Sequence, residues 1–517
     1  MKTQSFTLTL LLCACAIAFA QVDTVRTPDP VAKDFQFIGY SFTRLTSSNV
    51  APSNDLLQGQ VIGRLFGTNS TFTTPHTALY TEQRFVPYFV YKPSILDGFA
   101  TFRALFKVDY TWGDVNYGTG GNRGGGAGAG QVNLQTLLAN VDIHPPGEQW
   151  NAVVGLQRMF DNVRDPNATS VPTALSSGYK LAFFGNQATG VNFFANPTPV
   201  SMLRLGVFQL YENAIPIDDD VLLYMADYET RLNPFLEWGA DLWYVHDRGD
   251  NAGGVAALGE GLTSGLADYN GATRVHFPGA TQSYKADIAW VGTHSSYNRD
   301  FAAGRWWIDG FVIANIGTAD TIGTISRGKA LDIFGVAANA FIGYKYGTTV
   351  TDRITLEGIY TTGDGNNASD GKLTSVITGN VYGTPLGIYG NHHALLLFPD
   401  TKVVNRYYSA VHDISNMGYG VTGIFLNAYK DLIQNRLNLK IGAATAISNV
   451  APPGGGTMIG SEINFELLYT YKVLFSLGLH GGYMFAGDFY DSPLATNYQG
   501  KPQNPWVLFS TMSWYMF

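Results

Sequence analysis

Apolar and polar residues alternate with a period of two along many segments of this chain. In the segment 101–112 (TFRALFKVDYTW), aromatic and aliphatic side chains share one face and charged side chains share the other. The same alternation appears in 235–244, 305–317, 353–360 and 436–441. Because successive side chains of a strand point to opposite faces, the pattern predicts β-strands with one apolar face.

The length of these strands favours a membrane wall over a soluble β-sandwich. The alternation runs for roughly ten to thirteen residues, the length that a tilted strand needs to cross a bilayer, whereas sandwich strands are commonly about half as long. Trp and Tyr lie near the ends of the apolar faces, as an aromatic girdle requires. We therefore predict an all-β fold, a transmembrane antiparallel β-barrel of 18 strands with long extracellular loops.

The links between the predicted strands are of two kinds. Short links such as 430–435 predict periplasmic turns, whereas the Gly-, Asn- and Ser-rich links 117–130, 247–282 and 363–402 predict external loops. A barrel of 16–18 strands encloses an aqueous channel, so the polar faces predict a pore lining. Its charged residues are Arg103, Lys107, Asp109, Arg204, Glu237, Asp241, Asp309, Arg353, Glu357, Arg436 and Lys440. Both signs are present, and such charges set the ion preference of a pore.

The first twenty residues predict export. They carry one basic residue, an apolar run from Leu8 to Ala20, and a small-x-small ending, so residues 1–20 are predicted to be a cleaved signal peptide. A lipoprotein acylated at Cys15 is the alternative. Residues 21–34 are predicted to be a short periplasmic segment, and residues 35–517 the outer-membrane barrel.

The chain ends in NPWVLFSTMSWYMF, which is rich in aromatic residues. We predict that this segment is the closing strand, paired with a first strand near 35–44, and that its aromatic side chains face lipid and the membrane interface. Phe517, with Tyr515 two residues before it, resembles the signal that barrels present to their assembly machinery.

Composition and motifs exclude several classes of function. The formal net charge is −8 and charged residues are only 14%, which does not fit a nucleic-acid-binding protein. GxSxG, HExxH, CxxCH and the phosphate-loop pattern are absent from the sequence, so we predict no enzyme and no cofactor. Asp218–Asp220 are interpreted as a solvated turn, and His392-His393 lack a third metal ligand nearby. Asp364, Asn366 and Asp370 are a weak Ca²⁺ candidate.

Two segments resemble the alginate-export family of outer-membrane channels. Residues 139–164 are similar to that family's paired strands joined by a Pro-Gly turn, with Leu156 where members commonly carry Arg. Residues 360–372 and 393–400 resemble its Gly-Asp loop and Leu-Phe-Pro segment. The resemblance implies an 18-stranded channel, and its alginate-specific members have a basic pore.

The predicted function is an outer-membrane channel through which small hydrophilic solutes, including charged sugars, diffuse. The alternative is a barrel that anchors or sheathes a surface or secretion partner. Expected partners are outer-membrane lipid, the barrel-assembly machinery, the solutes, and further copies of the chain. A TonB-dependent transporter is rejected because residues 21–35 are too few for a plug domain.

Overall fold

The computed structural model describes sixteen stretches of the chain. They are residues 34–52, 61–66, 71–112, 127–128, 131–132, 134–160, 185–212, 215–248, 283–322, 331–366, 369–377, 394–400, 402–404, 406–411, 415–498 and 500–517. The predicted signal peptide, the proposed acylation site Cys15, almost all of 21–34 and the pair His392-His393 lie outside the described residues. So do most of 117–130 and 247–282.

Eighteen strands of the described residues form one closed antiparallel sheet, which confirms the predicted fold and strand number. Each strand pairs with its neighbours in chain order, and β1 pairs with β18 to close the barrel. The strands are β1 (Phe35–Pro52), β2 (Thr71–Tyr91), β3 (Ala100–Thr111), β4 (Leu134–Ile143), β5 (Trp150–Phe160), β6 (Gly185–Thr198), β7 (Ser201–Tyr211), β8 (Val221–Asn233), β9 (Leu236–Asp247), β10 (Ser283–Tyr297), β11 (Trp306–Ile322), β12 (Leu331–Lys345), β13 (Arg353–Thr361), β14 (Val421–Ile433), β15 (Leu437–Ser448), β16 (Met458–Tyr471), β17 (Phe475–Ala486) and β18 (Trp506–Met516).

The two ends of the barrel differ in their connections. From each even-numbered strand to the next strand, the connection is two to eight residues long, and these connections share one end, called here the short-turn end. The connections at the opposite, long-connection end include 53–70, 362–420 and 487–505. The predicted link 430–435 is shorter in the structure: residues 434–436 join β14 to β15 at the short-turn end, and residues 430–433 belong to β14. Its periplasmic side remains a prediction.

Smaller elements belong to the connections. Ser94–Leu96 and Asp488–Asp491 form short 3₁₀ helices, and Ala127–Gly128 pairs with Gln131–Val132. Val61–Arg64 pairs in parallel with Arg406–Ser409. Lys372–Leu373 adds a short parallel strand beside β12. In the part of the chain that the structure describes, no helix has the length and apolar character to span a membrane.

The outer wall of the barrel is apolar at mid-height. Large aliphatic side chains stand out from the strands, among them Leu242, Val291, Val312, Leu356, Leu426, Ile441 and Ile463. Aromatic pairs flank this band. Trp306 and Tyr344 lie near the short-turn end with ring centroids 4.8 Å apart, and Tyr224 and Tyr244 lie toward the opposite end at 6.1 Å. The arrangement corresponds to the apolar band and aromatic girdles of membrane barrels.

The closing strand pairs as predicted, but its aromatic residues do not all face outward. Gly39 lies opposite Met516 and Ser48 opposite Val507, and Trp514 is about half exposed on the outer wall. Phe509 is buried inside the barrel, and the Tyr515 ring lies 4.8 Å from that of inward-facing Tyr40. The prediction that all of them face lipid is therefore wrong, because adjacent strand residues such as Trp514 and Tyr515 must occupy opposite faces.

Candidate pore constriction

The inner face of the barrel has two zones. Toward the long-connection end, β7–β12 point apolar side chains inward, including Phe208, Leu223, Val245, Ile288 and Ile313. Toward the short-turn end, the same strands point ionisable side chains inward. These are Arg204, Asp227, Glu229, Asp241, His294 and Asp309. On β7–β12, inward charged residues therefore concentrate toward the short-turn end.

The apolar zone is covered by connections that fold into the barrel. Leu65, Val376, Leu396, Phe398 and Tyr490 come from three different connections and pack in one cluster with the inward side chains of the wall. Two hydrogen bonds attach the 362–420 connection to the wall through the main chain of Ile377. Trp290 Nε1 donates to the carbonyl of Ile377 at 2.9 Å, and the amide of Ile377 donates to Asn315 Oδ1 at 3.0 Å. Parts of these connections therefore lie inside the barrel.

Arg64 ties two of these connections together. Its guanidinium donates to the carbonyl oxygens of Ala495 and Leu494, at 2.6 Å and 3.2 Å. Burial lowers the pKa of Arg64 to about 10, partly offset by Tyr490 and Tyr419, and it remains charged at neutral pH. The strand pair of Val61–Arg64 with Arg406–Ser409 adds the third connection. The cover over the lumen is thus one hydrogen-bonded assembly.

Residues 394–400 and 402–404 of the 362–420 connection contact β1, β2 and β16, and they are called here the inner segment. The amides of Leu395, Leu396 and Leu397 all donate to the carboxylate of Glu462 on β16, at 2.7, 2.9 and 2.6 Å. On the other side, Arg44 of β1 forms an ion pair with Asp400 at 2.7 Å. Wall residues therefore hold the inner segment from both sides.

A charge cluster lies beside the inner segment. Lys402 Nζ is 2.7 Å from Glu466 of β16, which is also 3.0 Å from Lys440 Nζ and 3.2 Å from His480 Nδ1. Burial opposes the charged form of Lys402, but the carboxylates of Glu466 and Asp400 outweigh it and raise the pKa of Lys402 above its usual value. The Lys402 side chain remains 30% exposed, so its charge faces the lumen solvent.

Most of the predicted pore residues are paired with partners on neighbouring strands. Asp109 accepts from Arg84 at 2.7 Å and lies 3.2 Å from Lys107. Arg103 donates to Asn140 Oδ1 at 3.0 Å. The bonds of Arg84 with Asp109 and of Arg103 with Asn140 are cross-strand bridges that brace the wall.

A second set of paired ionisable side chains lies on β7–β10. Arg204 forms an ion pair with Asp227, which also accepts from Trp243 Nε1 at 2.6 Å. Asp241 Oδ2 lies 3.2 Å from Nδ1 of His294, and all of these side chains are buried. Sequence spacing indicated the strand face of Arg204 and Asp241, but it did not indicate their partners.

The remaining predicted residues lie closer to the short-turn end. Asp309 pairs with Arg299 at 3.1 Å, Glu357 accepts from Asn339 at 2.6 Å, and Glu237 lies 3.9 Å from Arg231. Arg353, at the first residue of β13, stacks over the Tyr429 ring.

Arg436 differs from its prediction. It is exposed in the 434–436 turn, because β15 begins only at Leu437, so it is not on the inner face of a strand. For the other predicted residues, contact with a passing solute remains a prediction.

Several inward-facing residues are not predicted by the sequence analysis above. They are Arg44, Arg84, Glu229, His294, Glu462, Glu466 and His480. A signal existed for two of them, since Glu462, Asn464 and Glu466 alternate with the apolar residues between them. Arg44 and Arg84 had weaker signals because their neighbours are partly polar.

The weak Ca²⁺ candidate residues are engaged in turns. Asp364 accepts from the amides of Asn366 and Thr374, each at 3.0 Å, and Asp370 accepts from the amide of Lys372. Among the described residues, no group of three or more His, Cys, Asp or Glu is arranged to hold a metal ion. The carboxylates of Asp364 and Asp370 thus accept hydrogen bonds from backbone amides of their own loop.

No protein-family model and no curated protein sequence matches the chain. Similar solved structures include a BenF-like porin from Pseudomonas fluorescens Pf-5, at 12% identity and a TM-score of 0.49, covering 93% of this chain and 98% of that one. Acinetobacter baumannii OccAB1 has 11% identity and a TM-score of 0.48, with 93% and 97% covered. Pseudomonas aeruginosa OpdK with vanillate has 11% identity and a TM-score of 0.47, covering 93% of this chain and 98% of that one. The barrel assignment rests on the chain's own strand pairing, and the alginate-export resemblance remains a prediction.

Proposed function

We propose that this protein is an outer-membrane channel through which small hydrophilic solutes diffuse. The observation that supports it most is the closed 18-strand barrel, whose apolar outer wall encloses a charged inner face in the short-turn half. Backbone groups in lipid must be paired, and a closed barrel meets that requirement. The proposal keeps the expectations of a cleaved signal peptide, of recognition of Tyr515 and Phe517 by the assembly machinery, and of a transporter rather than an enzyme.

Single-channel recording of the purified, folded protein in a planar bilayer tests this proposal. We expect steady openings whose current is proportional to voltage, because charged side chains line the lumen. The folded fraction is measured by gel electrophoresis of unheated samples, in which the folded barrel migrates differently from the heat-denatured chain. Silence from correctly folded barrels would contradict the channel.

A second candidate is a barrel that anchors or sheathes a partner. It is favoured by the apolar cover of Leu65, Phe398 and Tyr490 inside the long-connection half, which reduces the room for free diffusion. A blocked lumen that conducts only after a partner is removed or added would support this candidate. Assembly into homo-oligomers stays compatible with both.

An anionic sugar polymer is the finer substrate candidate, suggested by the resemblance to alginate exporters. The charges near the inner segment are of both signs, since Lys402 and Lys440 face Glu466. We expect a mixed-sign lumen to bind polyuronates weakly. Block of the ion current by oligouronates at low concentration would favour the alginate-type substrate instead.

Lys402 is expected to influence ion selectivity. In a salt gradient, Lys402→Met should shift the reversal potential toward cation preference, because it removes a cation that is exposed to the lumen and leaves Glu466 in place. Lys501→Met is the matched control, since Lys501 is paired with Asp491 in an exposed part of the 487–505 connection. Equal reversal potentials for both variants would contradict a role for Lys402.

A further inference from the structure

Glu462 binds the inner segment in an unusual way for a wall residue. Its Oε1 accepts the amide of Leu395 and the Nδ2 of Asn464, at 2.7 Å and 2.6 Å. Its Oε2 accepts the amides of Leu396 and Leu397. Three consecutive amides around one carboxylate form an anion-binding concavity. The carboxylate is buried, so its charge is balanced by these donors only while the inner segment is in place.

Two arginines hold the other end of the inner segment. Arg44 pairs with Asp400 and also donates to the carbonyl of Lys402. Arg84 donates to the carbonyls of Val403 and Val404, at 3.3 Å and 2.8 Å. Most of these bonds reach main-chain atoms. They therefore fix the path of the segment across the lumen rather than the identity of its side chains.

The two attachments differ in the contacts that their wall residues would keep if the inner segment left. Arg44 also lies over the Phe509 ring at 3.7 Å, and Arg84 also binds Asp109, so both keep wall partners if the segment leaves. Glu462 would keep Asn464 alone among the four donors described above. All of these bonds are charge-assisted, because each has an ionised donor or acceptor. Glu462 accepts three bonds from the segment, whereas two are described above for each arginine, so Glu462 makes the largest single attachment.

We propose that the inner segment is a movable constriction of the pore and that Glu462 is the clasp that holds it closed. This inference rests on the proposed channel function and names its regulation. Release of the clasp frees residues 394–397 from β16 and widens the path beside Lys402 and Glu466.

Glu462→Gln tests the clasp with almost no change in size. One carboxylate oxygen becomes an NH₂ group, which faces amide donors and cannot accept from them. Hydrogen exchange of the amides of 395–397 should become at least about tenfold faster than in the wild type. Glu357→Gln is the matched control, because Glu357 is also a strand carboxylate but binds Asn339 on the neighbouring wall strand. Its exchange at 395–397 should equal that of the wild type.

A disulfide supplies the opposite test. A Cβ placed on Gly482 of β17 would lie 3.3 Å from the Cβ of Leu395, close to the spacing of about 3.8 Å in disulfides. The only native cysteines are Cys13 and Cys15. In the triple variant Glu462→Gln, Leu395→Cys, Gly482→Cys, the oxidised protein should conduct like the wild type. Reduction should raise its unit conductance above that of the wild type, to the value of the single variant Glu462→Gln.

The outcomes separate this inference from the channel itself. Unchanged exchange at 395–397 in Glu462→Gln overturns the clasp, whether or not the protein conducts. Faster exchange with an unchanged unit conductance shows that the inner segment is held by Glu462 but is not the constriction. If folded wild type, Glu462→Gln and reduced triple variant are all silent, the channel proposal fails, and with it the pore-widening step.

Discussion

Replacing Asp109 with alanine is expected to lower the free energy of unfolding of the barrel by about 3–5 kcal/mol. The Asp109 carboxylate is fully buried and accepts two bonds from Arg84, at 2.7 Å and 2.8 Å. Lys107 Nζ lies 3.2 Å away on the same face of β3. Alanine at this position removes the buried anion that Arg84 and Lys107 share, and removing one partner is the costly way to break a buried ion pair.

Urea titration in detergent micelles, followed by tryptophan fluorescence, measures this loss. Asp491→Ala is the control, because Asp491 pairs with Lys501 at a comparable 2.8 Å but both side chains are about half exposed. Exposed pairs contribute only about 0–1 kcal/mol. The double variant Arg84→Met/Asp109→Ala should be more stable than the sum of the single losses predicts. A loss equal to that of Asp491→Ala would show that water reaches Asp109.

Leu426→Arg should destabilise the folded barrel by about 2–4 kcal/mol in lipid bilayers. Leu426 lies near the middle of β14 on the outer wall, where half of its surface is exposed beside Leu356. An arginine there would place a charge against the hydrocarbon core. Reversible folding into vesicles, with denaturant titration, gives the free energy.

Leu432→Arg is the matched control for that experiment. Leu432 has the same exposed fraction and the same face of the same strand, but it lies two residues from the 434–436 turn. Near the membrane interface, the cost of arginine falls to about 0–1 kcal/mol. Equal losses for the two variants would contradict a membrane whose midplane lies at Leu426.

Strand faces were more predictable than the partners on them. The period of two placed Arg103, Lys107 and Asp109 on one face of β3, and that face is the inner one. Their partners Arg84 and Asn140 lie on other strands, so their identity depends on register. Register in turn follows from the lengths of the turns between strands, as the shift of Arg436 into a turn illustrates.

The two halves of the lumen could not be distinguished from sequence. Alternation places Phe208, Ile288 and Ile313 on one face or the other of a strand, and an apolar side chain is by itself expected on the lipid face. The structure shows that they point inward, where the described parts of the connections 53–70, 362–420 and 487–505 pack against them. The contacts of Leu395–Leu397 with Glu462 join residues more than sixty positions apart, which no local pattern indicates.

The sequence by itself determined that the chain forms a long-stranded, closed barrel with an apolar outer wall, because strand alternation and strand length are local properties. It also determined that the last strand pairs with the first, since an unpaired edge cannot face lipid. Only the tertiary structure decided which charges pair, which half of the lumen is apolar, and how Arg44, Arg84 and Glu462 hold the inner segment. Those features depend on distances between residues far apart in the chain, which become defined only when the barrel closes around its folded connections.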